Sequence, residues 1–128
     1  MKAAAAQRKF HQLDLAEWPR GLERAIAVVA LEPRELAARC GLRFEMSGDD
    51  LDAFEGALLG TPSGKHFALV RHRGAPLPGT EVWAHSDSVD LSTDLQEALH
   101  VLDLTTKDLA WTHPNIRRSS AKNLLARH

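Results

Sequence analysis

The residues of this 128-residue chain that could do chemistry are seven histidines, one cysteine and the run Gly60-Thr61-Pro62-Ser63-Gly64-Lys65-His66. That run comes near a phosphate-binding loop, in which glycine backbone wraps the phosphates, a lysine reaches them and a hydroxyl holds magnesium. Gly60 and Gly64 stand one residue too close for that motif, and His66 replaces the hydroxyl residue. A phosphate loop must also open a helix. Here a β-favouring stretch, His66 to His72, follows instead. We therefore expect a hairpin turn, with Pro62 supplying the fixed φ and Gly64 the left-handed position that closes it.

The histidines and Cys40 give equally little support for catalysis. His66, His72 and His85 would hold zinc only by converging within about 2.1 Å of one point. The chain has no HExxH, no CxxC and no histidine pair four apart on a helix,. Ser63 lies near His66 but outside any G-x-S-x-G elbow, and Asp49 and Asp50 suit a solvated turn,. Cys40 reads as a small buried apolar residue. Glu35 to Leu42, ELAARCGL, matches the L-A-x-x-x-G-[VL] pattern of a helix-turn-helix at Leu36, Ala37, Gly41 and Leu42. The following Arg43 to Met46 looks extended and the next segment is acidic, so a plain helix end is expected. No enzyme, cofactor or metal is expected.

Composition sets the class. At 44% apolar and net charge −1 the chain reads as one globular domain, neither disordered nor globally basic,. The single cysteine precludes an internal disulfide, no apolar run nears the roughly 18 to 20 residues of a membrane span, and the N-terminal MKAAAAQRKF lacks a signal peptide's apolar centre,. A cytoplasmic location is expected. Charge is uneven: both termini and 61–80 are basic, whereas 13–60 and 81–108 are acidic. We divide the chain into a flexible basic segment (1–12), one α+β domain (13–114) and a basic tail or helix (115–128).

The elements follow from periodicity and breakers. Trp18, Leu22, Ala25, Ile26 and Val29 at helical spacing predict a helix over 19–31, and Pro33 to Gly41 brackets a second, completing an N-terminal helix pair. Ser47 and Asp50 imitate a capping box, predicting a helical turn to about Ala53. Three antiparallel strands then form a meander: Glu55 to Gly60, Lys65 to His72 and Glu81 to His85. The proline- and glycine-rich 73–80 loop separates the last two. Thr93 caps a helix to about Leu104, and Leu109, Trp111 and His113 alternate as a short final strand ending at Pro114.

A tight turn would set Leu58 opposite Phe67 and Gly56 opposite Leu69, with Val70 near Trp83 and Ala68 near His85 across the longer loop. Phe54, Leu58, Phe67, Leu69, Val82 and Ala84 would then share a core face beneath the helices. Ala57, Leu59, Ala68, Val70 and Trp83 would form the other, rimmed by His66, His72, Glu81 and His85. An apolar patch with a polar rim suits a partner or a second copy of the chain. We thus expect a small non-catalytic protein-binding or regulatory module, of antitoxin, immunity or adaptor type, whose contacts are Trp83, Val70, Leu59, His66, His85 and, on the proline-rich loop, Leu77. The alternative is nucleic-acid binding through Lys65, Arg71, Arg73, Arg117, Arg118, Lys122 and Arg127.

Overall fold

A computed structural model describes residues 9–48 and 52–116. In chain order its elements are β1 (His11–Leu13), β2 (Leu22–Val29), α1 (Pro33–Cys40), β3 (Glu45–Ser47), β4 (Phe54–Gly60), β5 (His66–His72), β6 (Thr80–His85), α2 (Leu91–Leu102) and β7 (Leu109–Thr112). The strands build one antiparallel sheet in the order β1-β4-β5-β6-β2-β7, and β3 also pairs with β4. The fold is α+β, with the expected meander at its centre.

No N-terminal helix pair exists. The stretch assigned to a first helix is β2, an interior strand held between β6 and β7. Buried strands need no polar alternation, so Ala25 to Ala30, AIAVVA, carries a helix-like spacing without forming one. A register shift between Ala25 and Ala27 brings the neighbours Ile26 and Ala27 into the same core,. Local chemistry agrees with α1: Pro33 opens it, the Glu35 carboxylate accepts from the Glu32 N–H at 2.9 Å, and Gly41 ends it at φ 74°,. At α2 the cap is Asp90 rather than Thr93. The Asp90 carboxylate accepts from both the N–H and the hydroxyl of Thr93,.

The hairpin turn forms as its residues suggest, but with a different register. Gly64, at φ 89°, donates its N–H to Thr61 O, and Thr61 N–H donates to Lys65 O, both at 2.9 Å,. Gly60 therefore pairs with His66 and Leu59 with Phe67. One residue of slip turns β4 over. Ala57 and Leu59 face the helices with Phe67, Leu69, Val82 and Ala84, whereas Leu58 packs on the other side with Phe54 against it. Across β5 and β6, Ala68 pairs with Trp83 and Val70 with Glu81, a two-residue slide that leaves faces unchanged.

Both helices lie on one face, where Leu36, Leu95, Ala98, Leu99 and Leu102 join the sheet residues in the main core. The second cluster, Leu22, Leu58, Ala68 and Val70 with Leu13, Leu15, Trp18, Phe54 and Trp83 packed on it, contains no residue of α1 or α2. The N-terminal segment contributes to both cores. Phe10 is buried in the main one and His11 and Gln12 belong to β1, so the fold reaches into the segment expected to be flexible. Gln12 fastens it by exchanging two hydrogen bonds with the Arg43 backbone. The capping box expected at Ser47 falls partly on 49–51, outside the described residues; Ser47 itself pairs with Phe54. Most of the expected tail is also outside them, but Ile116 is buried in the main core.

Leu59→Ala should cost about 3 kcal/mol, because Leu59 is fully buried under the helices and the site would keep a cavity,. Urea unfolding measures it. A loss below about 1 kcal/mol, suited to a surface position, would contradict its burial beneath the helices.

Candidate functional site: the sheet face opposite α1 and α2

The sheet presents on its second face four rings that contact in a closed circuit. Trp18 and Phe54 have centroids 6.3 Å apart, Phe54 and His72 5.6 Å, His72 and Trp83 6.1 Å, and Trp83 and Trp18 6.2 Å. Each ring has a separate structural support. Phe54 and His72 are direct cross-strand partners at the ends of β4 and β5. Trp83 projects from β6, its indole N–H donating to Glu81 Oε1 at 2.8 Å. Trp18 comes from the segment before β2 and donates its indole N–H to Leu22 O at 2.9 Å.

The floor beneath these rings is apolar and close-packed. Val70 is 2% exposed and pairs with Gly56 on one side and Glu81 on the other. A side chain at Gly56 has no room, since a Cβ there would lie 2.9 Å from the Phe54 ring. The rings themselves are all half-buried. Two carboxylates stand by His72: Asp52 Oδ1 is 3.7 Å from Nε2, and Glu81 Oε1 is 3.7 Å from Nδ1.

Of the residues expected at a partner surface, Trp83, His66 and His85 lie on this face half-buried, and Leu77 is 47% exposed on its loop. Val70 is floor rather than contact surface. Leu59 belongs to the opposite core and is withdrawn from the site. His66 and His85 stack edge to face at 5.8 Å and line a cavity of about 320 Å³ with Lys65, Asp87 and Asp94. Among the described residues no group of three or more histidine, cysteine, aspartate or glutamate side chains is placed to hold a metal ion.

Trp18 and Phe54 are the functional candidates that sequence reasoning missed. Phe54 went to the wrong face with the β4 register. Trp18 was placed at a helix start, although Pro19-Arg20-Gly21 directly after it reads as a turn,; Gly21 has φ 90°. Trp111 also faces this side, because it pairs with Val28, which pairs with Glu81.

The basic residues of the hairpin are largely committed. Lys65 Nζ donates to Asp94 Oδ1 at 2.7 Å and lies 3.8 Å from Glu97. Ser63 also donates to Glu97, so the loop that resembles a phosphate motif is tied to α2. Arg71 donates to Leu77 O and Gly79 O and lies 3.6 Å from Glu32. Arg73 is exposed, while Arg117, Arg118, Lys122 and Arg127 lie outside the described residues. The Cys40 thiol donates to Leu102 O, and burial pushes its pKa up, which disfavours a thiolate nucleophile,.

The hydrogen bond to Asp94 raises the pKa of Lys65 above its ordinary 10.5. A raised lysine pKa contributes stability that is whole below the unfolded value and disappears as pH rises through the folded one. Lys65→Met should therefore cost about 1 kcal/mol at neutral pH, a value held down by the ammonium's exposure. The difference from wild type should be constant up to about pH 10 and shrink above it. Denaturant unfolding at pH 7, 9 and 11 checks this, and a difference that grows with pH would contradict the pairing.

Comparison with protein-family models, curated proteins and solved structures finds no match to this chain, and the functional reading rests on its own geometry.

Proposed function

We propose that the chain is a non-catalytic protein-binding module that engages its partner through the sheet face opposite α1 and α2, around Trp83. The observation that carries this reading is the half-buried ring circuit on a face to which neither helix contributes. Large aromatics on a firm apolar floor supply binding energy at little entropic cost, because their positions are already fixed. Leu77 at 47% exposure adds apolar surface. Polar groups such as His72 and Glu81 stand among the aromatic groups, as at the rim of an interface.

Nucleic-acid binding finds less support. Lys65 and Arg71 are held by carboxylates and carbonyls, so a phosphate backbone would have to displace internal partners to reach them,.

Trp83→Ala tests the reading. Partner affinity should fall by about 2 kcal/mol, with a smaller loss of folding stability than a fully buried tryptophan would give. Affinity capture from the native host identifies the partner, calorimetry measures both proteins against it, and sedimentation reports binding to a second copy. Capture of the same partner with unchanged affinity by the variant would remove this face from the interface.

A further inference from the structure

We infer that the ring circuit Trp18–Phe54–His72–Trp83 receives a methylated ammonium group of the ligand. This rests on the reading of the face as a binding surface and names the chemistry of what it binds.

Ring faces carry the negative part of the aromatic quadrupole and attract a weakly hydrated cation, most strongly at indole. Two of the four rings are indoles. Their neighbours around the circuit stand at interplanar angles of 70°, 46°, 37° and 78°, so the four form walls of differing orientation rather than one stack. Gly56 and Val70 keep the floor low.

Charge points the same way. Glu81 hydrogen-bonds one indole and, like Asp52, stands 3.7 Å from the imidazole, which places carboxylates at the circuit itself. Asp52 has 76% of its side chain exposed. The guanidinium of Arg71 is drawn off to the Leu77 and Gly79 carbonyls and Glu32. A neutral apolar group would gain from the rings but nothing from Glu81 and Asp52, and an anion would be repelled by both.

Choline and its uncharged carbon analogue 3,3-dimethylbutan-1-ol separate these chemistries. In titrations followed by the indole N–H resonances, choline should shift Trp18 and Trp83 saturably in the millimolar range and leave Trp111 in place. The alcohol should bind about tenfold more weakly. Glu81→Gln retains an acceptor for the Trp83 indole and removes the charge; it should weaken choline by several-fold without altering the alcohol. No shift at tens of millimolar choline, equal response to the alcohol, or indifference to Glu81→Gln would each overturn the inference. If choline fails while Trp83→Ala still abolishes partner binding, the cation is refuted and the interface stands.

Discussion

The loop between Gly60 and His66 decides which side of the sheet every residue of β4 faces. Its geometry is fixed twice, once by the Thr61–Gly64 and Thr61–Lys65 backbone bonds and once by α2, which takes Lys65 on Asp94 and Ser63 on Glu97. Because side chains alternate along a strand, this one registration sends Leu59 beneath the helices and Phe54 to the far face,. The ring circuit exists only in that registration. A single residue of slip would put Phe54 on the face that the helices cover and separate it from Trp18 and His72,.

The two faces then have different physical characters. One is a main core closed by two helices. The other is a thin apolar layer whose buried members, Leu22, Leu58, Ala68 and Val70, lie beneath rings and the segment from Leu13 to Trp18. The Gln12–Arg43 pair and the Trp18 indole bond to Leu22 fasten that segment. The second layer is thus stable enough to hold its aromatics in place while leaving them partly open to solvent. Such preorganisation suits recognition, since the ordering cost of the rings is met in folding rather than in binding.

Much of the fold was legible locally. Pro33 and Gly41 bracket α1, β5 is a β-favouring run that follows a turn signal, β6 alternates plainly, and Leu95, Leu99 and Leu102 mark α2. What local signals could not carry was burial on both sides and registration. β2 lies inside the sheet, so its apolar run lacks the period of two that identifies a half-exposed strand. The β4 register depends on hydrogen bonds within Thr61 to Lys65 that residue types alone do not specify. The site was accordingly half visible: Trp83, His66, His85 and Leu77 were placed on accessible surface, Leu59 was misassigned, and Trp18 and Phe54 were missed because each depends on one of those two errors.

The ring contacts of Phe54 measure the registration most directly. Nuclear Overhauser spectra of the protein should connect the Phe54 ring to the Trp18 indole and the His72 imidazole, at the 6.3 Å and 5.6 Å centroid separations of the circuit. Contacts from Phe54 to residues of the main core would instead place it beneath the helices, and the aromatic face would no longer exist.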